Sequence, residues 1–216
     1  MHHRGTLELF HYWTQQRVGR AAPKRADIAP AAISTLLGNT FILEGSAKQP
    51  RFRLAGTRLC AAFGRELRGL SLADVFDPHD RNLIAKALSA VASGGDLVVG
   101  EVAADDGEGG KICMELLLLP LSDDNTRILG SLQFLDNPFW LGSRPLGTMQ
   151  LMTLKHADPD QELVSLSNRP PMMLPTHRNG DARARIWHVL EGGKSEADLK
   201  DRNQRQFSVI HGGRND

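Results

Sequence analysis

Five arginines, Arg51, Arg53, Arg58, Arg65 and Arg68, crowd into one stretch of the chain. Two guanidinium groups can clamp a carboxylate or phosphate through paired, charge-assisted hydrogen bonds, so this stretch is a candidate anion contact. No glycine-rich phosphate loop accompanies it, and most of these side chains read as solvated arginines on an edge strand and a surface loop. The two cysteines, Cys60 and Cys113, are far apart in apolar settings, which excludes a disulfide framework and a four-ligand zinc site. Cys60, within Arg58-Leu59-Cys60-Ala61-Ala62, reads as a small buried hydrophobe. His2, His3 and His11 lack acidic or cysteine partners at ligand spacing, so no metal site is expected. There is no Gly-x-Ser-x-Gly, and His156, His177 and His188 lie in irregular sequence, so no nucleophilic triad assembles and no catalytic residue is expected. His79, in Asp77-Pro78-His79-Asp80-Arg81, opens a helix between acids and is expected to face solvent.

The chain has 216 residues, which suits one domain with appendages and excludes a large multidomain enzyme. Lysine plus arginine (26) nearly balances aspartate plus glutamate (25), and a net charge of +1 is too small to draw a nucleic-acid backbone. The N-terminus lacks the apolar core of a signal peptide. Leu116–Leu119, extended by Met114 and Leu121, is far shorter than the ~20 residues of a membrane span and reads as a buried strand. A cytoplasmic protein is expected, with no nucleic-acid or membrane partner.

The elements that must position these residues follow from periodicity. Leu7, Leu9, Phe10, Trp13 and Val18 give an amphipathic helix over 6–22, stopped by Pro23, and Asp27 can cap a second short helix through Ile33, Leu36 and Leu37. Together they form an N-terminal helical cap over 1–38. Thr40–Glu44 and Arg51–Leu54 read as paired strands, followed by short helices and turns around Leu59, Phe63, Leu72 and Val75-Phe76. Asp80 caps a helix over 81–93, and three strands, 97–103, 111–121 and 127–136, are joined by polar hairpin turns. Beyond Asn137-Pro138 an irregular extension over 141–216 carries two strand-like fragments, Ile186–Gly193 and Phe207–Gly213.

Arg51-Phe52-Arg53-Leu54-Ala55-Gly56-Thr57, Phe63-Gly64-Arg65-Glu66-Leu67, Gly69 and Ala73-Asp74-Val75-Phe76, in this element order, resemble the PAS domain family. Within it they resemble the small stand-alone members found in alphaproteobacteria. The resemblance implies an α+β fold with a five-stranded antiparallel sheet and helices on one face. It also implies a non-enzymatic, sensory or regulatory protein that binds a small ligand, a protein partner or both to relay a signal. Haem-binding relatives carry an axial histidine near the position of His79, and flavin-binding ones a reactive cysteine. The settings of His79 and Cys60 disfavour both cofactors.

On this reading Phe52, Leu54, Phe63, Leu88, Met114 and Gln133 are expected to line a mainly apolar pocket, with Gln133 as its polar handle. Arg53, which belongs to the pattern carrying the resemblance, is the candidate anion contact. Phe10 and Trp13 are expected to seat the N-terminal helix against the sheet or in a homodimer. The alternative is a ligand-free adaptor working through the N-terminal helix and the C-terminal tail, whose strand-like fragments could join a sheet edge.

Overall fold

Apolar side chains occupy both faces of the segment Lys111–Leu121, and the fold is organised around covering the two. The structure is a computed structural model that describes residues 1–161 apart from Lys48, Gly94, Gly95, Asp124 and Asn125. The fragments Ile186–Gly193 and Phe207–Gly213, with His177 and His188, lie outside the described residues. Among the described residues six strands form one antiparallel sheet: β1 Thr40–Ser46, β2 Gln49–Ala55, β3 Leu97–Asp105, β4 Lys111–Leu121, β5 Arg127–Phe134 and β6 Gln150–Ala157. Their spatial order is β2-β1-β5-β4-β3-β6.

On the inner face Ile112, Met114, Leu116 and Leu118 of β4 join Phe41, Leu43, Val98, Val102, Ile128 and Leu132 in one core. Its cover is α2 (Thr57–Ala62), a 3-10 turn at Leu72–Val75 and α3 (Arg81–Ala92). Ile84, Ala87, Leu88 and Val91 of α3 recur every three or four residues, which puts them on one helical face toward the sheet. Asp80 precedes α3, as expected of a cap, but its carboxylate is used elsewhere: Oδ2 accepts from the Leu151 N–H of β6 at 2.8 Å.

On the outer face Leu97, Leu117 and Leu119 are covered by α1 (Arg4–Arg17), through Leu9, Phe10 and Trp13. Trp13 is fully buried, and its Nε1–H donates to the Pro120 carbonyl at 2.9 Å. The His3 side chain accepts from the Gly5 N–H at the start of α1. The helix ends five residues before the expected limit, because Val18 turns left-handed at φ 46° and Gly19 follows at φ 77°. The strap from α1 to β1 forms three 3-10 turns, Arg25–Asp27, Pro30–Ile33 and Leu37–Asn39. The expected second helix does not run on from Asp27 because the residue before a proline is driven out of the helical region: Ala29 is extended (φ −82°, ψ 116°), and Pro30 starts a 3-10 turn of its own.

The α+β architecture of the sequence reading therefore stands, with two differences. The N-terminal helix lies on the face opposite the other helices, and a sixth strand extends the sheet. β6 pairs with β3 from Leu97↔Ala157 to Ala103↔Gln150, yet most of its side chains are exposed. Its membership of the sheet rests on backbone pairing, which leaves little hydrophobic alternation in the sequence.

Trp13→Ala empties the largest buried site under α1. Denaturant unfolding of the full chain is expected to show a loss of about 3–5 kcal/mol. Trp13→Phe, which keeps a ring and drops one hydrogen bond, should cost about 1 kcal/mol for that bond plus a smaller packing loss.

Candidate functional site

The outer face is not covered evenly. Between the strap and the β1–β2 edge lies a pocket of about 310 Å³. Its floor is Ile42 and Leu129, one wall is Ile28, Ile33 and Leu37 of the strap, and the opposite rim is Leu54, Ala55, Gly56 and Thr57. Arg25 stands at the strap end of this mainly apolar lining. Its Nη1 donates to the Ile28 carbonyl at 3.0 Å and its backbone N–H donates to Asp123 Oδ2 at 3.0 Å. No carboxylate pairs with its guanidinium among the described residues.

The strap is held by a small polar joint. Asp27 Oδ2 accepts from Arg20 Nη2 at 2.6 Å and from the Lys24 N–H at 2.9 Å, while Tyr12 Oη accepts from the Ala29 N–H at 2.8 Å. These bonds, that from the Lys24 N–H foremost and that from Arg20 next, hold the Asp27 carboxyl below its ordinary range. At the other end, the Leu37 and Gly38 carbonyls lie where a Cβ on residue 56 would sit, so glycine is required there. The strap thus meets the entry to α2 backbone against backbone.

Of the six residues expected to line a pocket, Leu54 alone lines this one. Phe52, Phe63, Leu88 and Met114 are buried in the inner core, packed with Phe41, Leu72 and Ile84. The register of β1 and β2 separates Phe52 from Leu54: Leu43 pairs with Phe52 and Ile42 with Leu54, leaving Arg53 as an extra residue in β2. Such a bulge shifts the side-chain alternation by one, so Leu54 moves to the outer face. There it is 53% exposed at the pocket rim.

Gln133 also faces outward, but beneath α1. It pairs across the strands with Glu115, and both are buried. Gln133 Oε1 accepts from Asn39 Nδ2 at 2.9 Å, and Glu115 Oε2 accepts from the His2 and His3 N–H groups at 2.7 and 3.1 Å. A Cβ on Gly5 would come within 2.9 Å of Gln133 Cδ, so α1 is seated on this amide. Thr6 Oγ1, Asn39 Oδ1, Glu115 Oε1, Ser131 Oγ and Gln133 Nε2 have no hydrogen-bond partner among the described residues. This is a polar seat for the helix rather than a handle in the pocket.

The other singled-out side chains are dispersed. Arg53 pairs with Glu44 at 3.4 Å on the β1–β2 surface, and Glu44 also binds Arg127 at 2.9 Å. Its charge is therefore already met by a carboxylate. Phe10 and Trp13 are buried within the protomer. His79 is 95% exposed at its side chain, with Nδ1 2.8 Å from Asp77 Oδ1. Cys60 is half-buried beside Glu66, and Cys113, expected in an apolar setting, is exposed at the start of β4. A wider concavity of about 380 Å³ along Asn82, Ala85, Lys86 and Ser89 of α3 is a shallow groove on an exposed helix face.

A family model of the PAS domain matches residues 1–133, more than half of the chain and including both the cap and five of the six strands. The chain belongs to the PAS domain family. A search of the curated proteins found no match. PAS membership implies a sensory or regulatory role in signalling, a class that is generally not catalytic. Among the described residues no helix is long and apolar enough to cross a membrane.

Sequence reasoning missed the wall that the PAS cap supplies. Ile33 and Leu37 were legible as apolar positions, but only the pairing of β1 with both β2 and β5 shows that Ile42 and Leu129 form their floor. Arg25 carries no signal of its own in a chain with 26 basic residues.

Because the folded Asp27 carboxyl binds its proton more weakly than usual, its contribution to the strap is present near neutral pH. That contribution is lost as pH falls below the ordinary carboxylate range through the folded value. Hydrogen exchange on acidification should therefore show residues 20–28 loosening, and Asp27→Asn should already be loose at neutral pH with the core amides unchanged.

Proposed function

We propose that this PAS protein is a non-enzymatic cytoplasmic sensor. It binds a small, mainly apolar ligand in the pocket between the strap and the β1–β2 edge and relays occupancy through the strap to α2. The observation that carries the reading is the position of the pocket. Its walls come from two elements, the strap and the Leu54–Thr57 corner, that also touch directly at Gly38 and Gly56. A ligand that spreads or draws together these walls changes the entry to α2, whose Leu59 and Ala62 are buried in the inner core. The inner face offers less room to a ligand, because the four inner-face candidates are packed against one another's neighbours. A volume near 310 Å³ lies at the lower end of small-molecule sites.

A homodimer remains part of this reading, but through the outward side of α1, since Phe10 and Trp13 are already engaged in the protomer. The free cysteines Cys60 and Cys113 suit a reducing compartment.

Native mass spectrometry of the full chain tests the proposal. A retained small molecule is expected, and Leu54→Trp, at an exposed rim position that tolerates a larger ring, should cut occupancy at least tenfold without lowering the unfolding temperature. A bare mass together with no thermal shift across a metabolite library would sink the sensor and leave the ligand-free adaptor.

A further inference from the structure

The pocket's lining points beyond "small and apolar". Its one charged residue is Arg25, and that charge is not spent. Arg17, Arg20, Arg53, Arg127 and Arg144 each pair with a carboxylate. Among the described residues the Arg25 guanidinium has only the carbonyl of Ile28, a residue that itself lines the pocket. That single bond fixes the head of the side chain beside the apolar wall while leaving further N–H donors of a five-donor group available. Asp123, which lies beside it, is engaged otherwise: one oxygen accepts from the Arg25 backbone N–H and the other lies 3.6 Å from Arg127.

We infer that the ligand is an anionic amphiphile, a molecule with one carboxylate-like head on Arg25 and an apolar body against Ile33, Ile42, Leu54 and Leu129. The inference rests on the pocket reading above and adds the charge and size of what fills it. A half-buried guanidinium at the end of an apolar wall rewards an anion twice. It supplies a bidentate, charge-assisted pair, and the low-polarity surroundings strengthen that pair relative to water. A neutral ligand of the same shape gains only the burial, and a cationic one is repelled. Size follows from volume. A closed apolar cavity of ~150 Å³ takes a benzene ring, so roughly twice that room holds an apolar body of about ten to twelve heavy atoms.

The probes are therefore decanoate, 1-decanol and decyltrimethylammonium, titrated below their aggregation limits into the full chain by calorimetry. The Leu54 and Ile42 methyl signals are followed by NMR to place them. Decanoate is expected to bind at least tenfold more tightly than decanol, and the cation more weakly than both. Arg25→Gln should remove most of the decanoate advantage while leaving decanol affinity within about twofold, and Arg25→Lys should restore part of it. An unchanged unfolding temperature confirms that each variant is folded, and Leu54→Trp should weaken all three probes together. Equal affinity for decanoate and decanol, unaltered by Arg25→Gln, would overturn the anionic head while leaving the apolar pocket standing. Absence of binding by every probe, or binding indifferent to Leu54→Trp with methyl shifts elsewhere, would overturn the pocket reading and this inference with it.

Discussion

A strand that is apolar on both faces cannot border water on either, and β4 imposes that constraint on the whole molecule. Its inner residues require the α2–α3 layer, and its outer residues require something else. The chain meets the second need with its own N-terminal segment, so the cap belongs to the core. Trp13 and Phe10 bury against the middle strands, and Trp13 fixes the helix through the Pro120 carbonyl. α1 is too narrow to reach the β1–β2 edge. The strap takes over there, and its three short 3-10 turns cover the face less continuously than a helix would. The pocket lies where this second cover is thinnest.

The polar seat under α1 belongs to the same economy of two faces. Glu115 and Gln133 sit opposite one another on the outer face, so a one-residue slip of either strand would turn a carboxylate or an amide into the inner hydrophobic core. The cost of that misplacement far exceeds the cost of leaving a few of their hydrogen-bonding positions unfilled beneath the helix. Gly5 completes the arrangement by letting the start of α1 settle directly on the Gln133 amide.

Much of the scaffold was legible because it is periodic. The helix over 81–93 and the three strands after it were visible as apolar repeats, and the Arg51–Thr57 and Phe63–Gly69 patterns carried the family. The candidate site was legible at Leu54 alone, for reasons that are local. Arg51-Phe52-Arg53-Leu54 alternates perfectly, and nothing in the residue types announces that Arg53 is extra in the pairing with β1. Gln133 lies on the outer face, opposite Glu115 and between the inner residues Leu132 and Phe134, and its residue type does not say which face of β5 a helix will cover. Asp80 was recognised as a helix-start residue, but its bond to β6 joins positions 71 residues apart, beyond the reach of any local pattern. The wall built by Ile28, Ile33 and Leu37 becomes a wall only once the cap has folded over the sheet.

Division of labour between the two faces also sets how this protein can diverge. Ile42 lies between Phe41 and Leu43, and Leu129 adjoins Ile128; in each case the outer residue shapes the pocket floor while an immediate neighbour holds the inner core. Adjacent codons therefore answer to different selective demands. A lineage can trade Ile42, Leu54 or Leu129 for other apolar shapes, recasting the pocket, while the residues beside them stay constrained by folding. The shape of that pocket is free to change while the fold around it is held.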